Sequence, residues 1–336
     1  MKKLLIFSLM ILTMFSVCAM LTSCNGQTDE GSLRFDHISG GYAVSIGTCT
    51  DKNVVIPDTY NGEPVISIAN NGFSGSDIKS IVIPDSVTQI GSGAFDSCIW
   101  ITSITIPKNV SIIGTAAFDC YRLQKIEVEE DNEFYKSMDG VLYSKDGKKL
   151  VAYPTAKKDE KFEIPDGVTE VNAYAFRENS RIKHVIFSHS VTKIGEYAFY
   201  NCSELDYIKM GTGVQIIGAC AFAYCDDLNT VQLSSGLKRI EYGAFSHCDS
   251  EDFKRLTIPS GTEYIGDSAF TNSFFIERVT IPKTVQYIGK NVFVNTMVQY
   301  IAFDGTKSEW KSIRKGASWS GYGDVYVSCS NGEFKY

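Results

Sequence analysis

The chain is short of positive charge. Lys and Arg number 32 against 39 Asp and Glu, giving a formal net charge of −7. Nucleic-acid binders usually carry a basic surplus, so nucleic acid is set aside as a partner. Histidine is scarce: only His37, His184, His189 and His247 occur. His184 and His189 stand five apart and would alternate faces on a strand, so they form no clear ligand pair. No Cys-x-x-Cys pair is present, which argues against structural zinc. Ser188 and Ser190 flank His189, but the strained Gly-x-Ser-x-Gly turn that exposes a serine nucleophile is missing. Gly211-Thr212-Gly213 lacks the third glycine and the helix of a dinucleotide loop. The carboxylates fall mostly on turns, with no pair anchored inside a pocket. No catalytic residue, metal site or cofactor is therefore expected, and the chain reads as non-enzymatic. Tryptophan is rare too. Only Trp100, Trp310 and Trp319 exist and two lie in the tail, which lowers the rank of glycan capture through clustered exposed rings.

Apolar content is ordinary at 44% and aromatics reach 12%, so the chain is not disordered. Its 336 residues could hold one sizeable core or two domains. Two counts are high, 20 Phe and 10 Cys.

The N-terminus carries Lys2 and Lys3, then an apolar run from Leu4 to Met20. This is the basic start and hydrophobic stretch of a secretory signal, too short to read first as a spanning helix. It ends in Leu21-Thr22-Ser23-Cys24, which resembles the lipobox of bacterial lipoproteins. The expectation is a signal peptide over residues 1–23, a lipid on Cys24, and a short polar tether over 24–32. Such a chain would sit on the cell envelope, lipid-anchored and exposed on the outer membrane.

Phenylalanines at 73, 95, 118, 176, 199, 222, 245, 270 and 293 recur at intervals of 22 to 25 residues, with one gap of 58. Ala precedes seven of the nine. Upstream lies an aliphatic residue followed by Gly, as in Ile90-Gly91, Ile194-Gly195 and Ile288-Gly289. Further upstream comes an apolar-x-apolar-Pro strand end, as in Ile104-Thr105-Ile106-Pro107 and Val279-Thr280-Ile281-Pro282. Six of the eight prolines occupy this position. Alternation aims both aliphatic side chains of a strand to one face. Pro stops the strand, and Gly is expected to supply a permissive turn. Asn172 and Glu241 stand where Gly is missing, Glu241 being the clearer departure. No single repeat can bury its apolar side alone, so stacking must do it. Nine coils at about 4.8 Å per strand step make a rod of roughly 40 Å before caps and insertion are added.

The pattern Ile-x-Ile-Pro-x-x-Val-x-x-Ile-Gly-x-x-Ala-Phe-x-x-Cys resembles the BspA-like, or Treponema pallidum-type, leucine-rich repeat. The resemblance spans about residues 54–303. It implies a β-rich repeat solenoid, a right-handed superhelix of stacked parallel short strands on one face. Phe187-Ser188, Met210-Gly211 and Leu233-Ser234 depart from Ile-Pro in three central repeats. An inserted hairpin is expected within 129–162, around Lys145-Asp146-Gly147; similar Asp-Gly-Val-Leu-Tyr hairpins are common in this family. The acidic run Glu129–Glu133 lacks the alternating ligands of a calcium loop. Residues 33–53 read as an N-terminal β cap and 304–336 as a C-terminal cap, with a short helix at 310–314 and a closing strand at 325–329.

Cys98, Cys202, Cys225 and Cys248 lie three residues after the repeat Phe, and Cys120 two after. They read as a buried ladder in which Cys fills the space taken by Asn179 elsewhere. Disulfides Cys202–Cys225 or Cys225–Cys248 are the sharper alternative, since an oxidising envelope permits them.

If the strand Ile and Val point inward, Ser80, Ser103, Lys125, His184, Tyr207, Thr230, Arg255, Arg278 and Tyr300 point outward, with Lys209 in the neighbouring row. This face is polar and mildly basic in an acidic protein. Tyr and Arg are common binding anchors, so His184, Tyr207, Lys209, Thr230, Arg255, Arg278 and Tyr300 are the candidate ligand-binding residues. The resemblance implies adhesion to host matrix proteins, host cells or other bacteria, and the chain is expected to act as a monomer. A structural or assembly role within an envelope complex is the alternative, and glycan capture the second.

Overall fold

A computed structural model of the protein describes residues 32–321 and 323–336. The expected signal peptide, the Cys24 lipidation site and nearly all of the tether lie outside these residues. The chain is a β-solenoid with one short helix. Each coil contributes two short strands rather than one, and the two sets of strands build two separate parallel ladders.

The first ladder uses the strands that precede Pro. Lys161–Glu163, His184–Ile186, Tyr207–Lys209 and Thr230–Gln232 run side by side, as do Arg255–Thr257, Arg278–Pro282, Tyr300–Asp304 and Tyr326–Cys329. Two shorter pieces, Asn53–Val55 with Ser80–Val82 and Ser103–Ile106 with Lys125–Val128, lie N-terminal to them. Pairing stops between Gln232 and Arg255. The sequence explains that gap: Phe245 to Arg255 is 10 residues, whereas Phe222 to Thr230 and Phe270 to Arg278 are 8. Two extra residues there push the incoming strand out of register.

The second ladder uses two-residue strands just before the Gly position. It runs unbroken from Lys149–Ala152 through Glu170–Val171, Lys193–Ile194, Ile216–Ile217, Arg239–Ile240, Tyr264–Ile265 and Tyr287–Ile288 to Arg314–Lys315. The extra residues after Phe245 precede the first-ladder strand, so this ladder never feels them.

The Gly after the aliphatic residue is needed for space, not for an unusual backbone. Neither Gly195 nor Gly289 adopts positive φ, yet a Cβ on either would lie 2.4 Å from a backbone nitrogen of the preceding coil. Coils approach so closely here that only hydrogen fits. The left-handed backbone sits elsewhere, two residues after this Gly and two after Phe, at Tyr197 (φ 54°) and Asn201 (φ 57°), or Cys220 (φ 51°) and Tyr224 (φ 61°). Non-glycine side chains hold a conformation that normally costs them, because the stacked coils over-determine it.

Between the ladders, the repeat Phe rings form a column. Phe176, Phe199, Phe222, Phe245, Phe270 and Phe293 stack at centroid separations from 4.5 to 5.8 Å. Tyr153 opens this column at 4.5 Å from Phe176. A shorter column, Phe73–Phe95–Phe118, belongs to a second core. The two cores meet at the insertion, where Tyr135–Met138, Val141–Ser144 and Lys149–Ala152 form an antiparallel meander turning at Asp139-Gly140 and Asp146-Gly147. Arg177 spans this junction, donating to Asp119 Oδ2 at 2.8 Å and pairing with Glu178 at 2.9 Å and Asp96 at 3.6 Å. Burial pushes the Asp119 carboxyl up to about 7 against the pull of the Arg177 guanidinium.

The thiols after each Phe are hydrogen-bond donors. Cys98, Cys120, Cys202, Cys225 and Cys248 each point Sγ at the repeat-Phe carbonyl of the preceding coil, at 3.1 to 3.3 Å. Ser273 does the same to Phe245 at 2.7 Å, and Asn179 donates to Pro154 at 3.1 Å. The eight cysteines among the described residues are free, so neither of the two disulfides exists in this structure. Burial raises the thiol pKa of Cys202, Cys225 and Cys248.

At the C-terminus, Lys307–Ser312 forms a helix begun by a capping box between Thr306 and Glu309. Its buried Trp310 packs on Phe303 and Trp319. The strand Gly332–Lys335 then closes the first ladder by pairing antiparallel with Tyr326–Cys329.

Candidate functional site

The outward face of the first ladder gathers the sequence-derived candidates into two strips. Strand register places His184 beside Tyr207 and Tyr207 beside Thr230. Lys209 lies one alternation along, between Ile186 and Gln232. In the second strip Arg255 is beside Arg278, and Arg278 beside Tyr300. The unpaired step between Gln232 and Arg255 separates the strips, so the seven residues do not make one continuous row.

The strips differ in how their charges are met. In the first, His184 Nε2 lies 3.1 Å from Asp206 Oδ1, and its ring meets Tyr207 edge-on at 5.7 Å. Lys161 pairs with Glu163 at 2.7 Å and Lys183 with Glu160 at 3.3 Å. In the second, Arg278 lies over the Tyr300 ring at 4.8 Å, and Tyr300 stacks on Tyr326 at 5.8 Å. Tyr300 and Tyr326 remain 46% and 45% exposed.

Reading the sequence missed Lys161 and Tyr326 as members of this face. Both carried a signal. Phe162-Glu163-Ile164-Pro165 repeats the strand-end pattern, and Val325-Tyr326-Val327 keeps the alternation past the last repeat Phe. The reading also missed a recess beside this face. A polar cavity of about 520 Å³ opens where the meander folds beside the sheet, lined by Ser103, Lys125, Glu127, Ser137, Asp139 and Lys157. Lys157 there is held by Asp139 at 2.8 Å and Asp159 at 3.1 Å. The second ladder bears its own aromatic row. Arg239 covers Tyr264 at 3.9 Å, Tyr264 stacks on Tyr287 at 5.0 Å, and Arg314 covers Tyr287 at 4.7 Å.

Among the described residues, no cluster of three or more His, Cys, Asp or Glu could hold a metal ion. Also among them, no helix is long and apolar enough to cross a membrane. The arrangement offers rows of side chains for contact rather than groups converging on a reacting atom.

Comparison with known proteins agrees with this architecture. A leucine-rich repeat protein of Eubacterium ventriosum is 25% identical, with a TM-score of 0.65 over 86% of this chain and 82% of that one. A leucine rich cell surface protein of Faecalibacterium prausnitzii is 23% identical, with a TM-score of 0.55 over 85% of this chain and 96% of that one. Comparison with curated proteins gave no match. The family described as the BspA type Leucine rich repeat region matches in six copies, over residues 47–139, 152–255 and 193–317. With that repeat recurring through most of the stack, and its Ile, Gly, Phe and Cys each given a physical task by the coils, the chain belongs to the BspA type leucine-rich repeat family.

Proposed function

We propose that this is a non-enzymatic cell-surface binding protein, anchored through a lipid on Cys24, that engages a protein partner with the outward face of its first ladder. The carrying observation is the regular presentation of His184, Tyr207, Thr230, Arg255, Arg278 and Tyr300 on parallel strands at one side chain per coil. Repeat proteins use such ladder faces for extended contacts, and Tyr and Arg are the side chains that most often dominate them. Adhesion to host matrix, host cells or other bacteria is the role this face would serve from the outer surface.

The test is capture by a soluble form of the chain beginning near Thr28, offered matrix proteins, glycans and envelope extract. Binding to a matrix or cell-surface protein, weakened in Tyr207→Ala with Arg255→Ala, supports the reading. Retention of an envelope protein alone moves the function to assembly within an envelope complex, and glycan binding alone moves it to glycan capture. Mass spectrometry of the membrane-associated chain should find residues 1–23 removed and a lipid on Cys24; an unmodified Cys24 would refute the anchor.

A further inference from the structure

The basic groups of the first-ladder sheet are met unevenly; at its C-terminal end Lys335, the register partner of Tyr326, is held by Asp324 at 2.6 Å. Lys125, Lys161, Lys183 and His184 each have a carboxylate within 3.3 Å. Among the described residues, Lys209, Arg255 and Arg278 have none within 4.0 Å, and Arg255 makes no polar side-chain contact. Arg255 and Arg278 are also direct register partners. Two guanidinium groups on adjacent parallel strands, with Cα atoms about 4.8 Å apart, repel each other. Folding alone gives no reason to place them so in a chain with a formal net charge of −7.

Part of the second ladder shows what a compensated row looks like, although Arg314 farther along lies over Tyr287 as Arg278 lies over Tyr300. There Glu170 takes Lys193 at 2.8 Å and Lys149 at 3.5 Å, and Arg239 is held by Glu241 at 2.8 Å. Beside Arg255 and Arg278 stand the exposed hydroxyls of Thr257 and Thr280, then the stacked Tyr300 and Tyr326. The Arg278 guanidinium carbon lies 4.8 Å from the centre of the Tyr300 ring, a contact that uses the ring face and leaves the guanidinium without a carboxylate partner among the described residues. That geometry is complementary to carboxylates arriving from outside.

We infer that Arg255 and Arg278, flanked by Tyr300 and Tyr326, form a docking site for an acidic segment of the partner protein, its carboxylates held by the paired guanidinium groups and its backbone lying along the tyrosine edge. The inference rests on the proposed protein-binding role and specifies its C-terminal strip. Tyr beside Arg suits a protein anchor, and the charge imbalance selects an anionic one.

The probe is a short fluorescent peptide of alternating Glu and Gly, titrated against the soluble chain. Oligogalacturonate and an alternating Lys–Gly peptide run in parallel. The acidic peptide should bind, weaken as salt is raised, and lose about tenfold or more in affinity in Arg255→Gln with Arg278→Gln. Because the substitution removes a like-charge pair, the variant should unfold no earlier than the parent, separating lost binding from lost fold. The control Lys148→Gln with Lys149→Gln on the other ladder should leave affinity unchanged. Absence of peptide binding overturns the inference, as does equal binding by both double variants. Oligogalacturonate binding without peptide binding overturns it in favour of a carboxylated glycan. If a captured partner protein is retained equally by Arg255→Gln with Arg278→Gln, this site falls while the broader binding role stands.

Discussion

Replacing Phe222 by Ala tests whether the phenylalanine column holds the coils together. Phe222 is fully buried and has rings on both sides, Phe199 at 5.0 Å and Phe245 at 5.1 Å. Truncating a buried Phe costs about 3–5 kcal/mol through lost transfer energy and the cavity left behind. Each aromatic contact is worth about 0.5–1.5 kcal/mol beyond its area. Phe73 is equally buried but has one ring neighbour in the column, Phe95 at 5.8 Å. Phe222→Ala should therefore cost about 4 kcal/mol and Phe73→Ala about 3, the difference being one ring contact. A loss of that size is a large part of a typical folding stability of about 5–15 kcal/mol. Urea unfolding followed by circular dichroism gives the two values. Amide exchange locates the damage, which should centre on the coils containing Phe199 and Phe245, since each coil leans only on its neighbours. Equal costs for the two variants, or a Phe222→Ala cost below about 2 kcal/mol, would refute the idea that nearest-neighbour ring stacking carries cohesion.

Gly289→Ala should destabilise by about 1–3 kcal/mol in urea, because the new Cβ would meet the Asp267 nitrogen at 2.4 Å; a neutral result would mean that the coils can separate cheaply. Cys248→Ser should be nearly neutral, as Ser273 already makes the same bond one coil later, whereas Cys248→Val strands the Phe222 carbonyl and should cost about 1–3 kcal/mol. In native protein the raised thiols of Cys202, Cys225 and Cys248 should resist a thiol reagent that labels them promptly in urea. Asp119 has its folded pKa raised to about 7 from an ordinary 3.8, so its contribution to stability is full below about pH 4 and is lost as pH rises through 7. Asp119→Asn should flatten that part of the pH–stability curve, and a profile unchanged from the parent would refute the assignment.

Most of the stack was legible because each repeat position answers a constraint that recurs every 23 residues or so. Phe, the strand aliphatics and the thiol position announce themselves by periodicity alone. The second ladder was not visible, since strands of two residues such as Ile216–Ile217 are too short to show alternation. Glycine was found for the wrong reason: a permissive backbone and a close approach select the same residue, and only coordinates distinguish them. The left-handed positions hide for the opposite reason. Tyr197, Tyr224 and His247 occupy them, and none of these residues signals a turn by itself. The face was legible as an alternation but not as two strips, because a two-residue excess near Ser250 looks trivial in sequence and breaks a ladder in space.

The unbroken second ladder has a mechanical meaning. A stack held near Lys149 and gripped near Arg278 would carry tension along the stacking axis, parallel to the hydrogen bonds between coils. Pulled that way, a ladder opens one rung at a time like a zipper, and the seam at Gln232–Arg255 has no rungs on the first side. The load crossing that seam falls on Arg239–Ile240 and its neighbour Tyr264–Ile265, which bridge it on the second side. Single-molecule extension should show the coils yielding in sequence, each releasing a similar length of chain, with the earliest step at the seam.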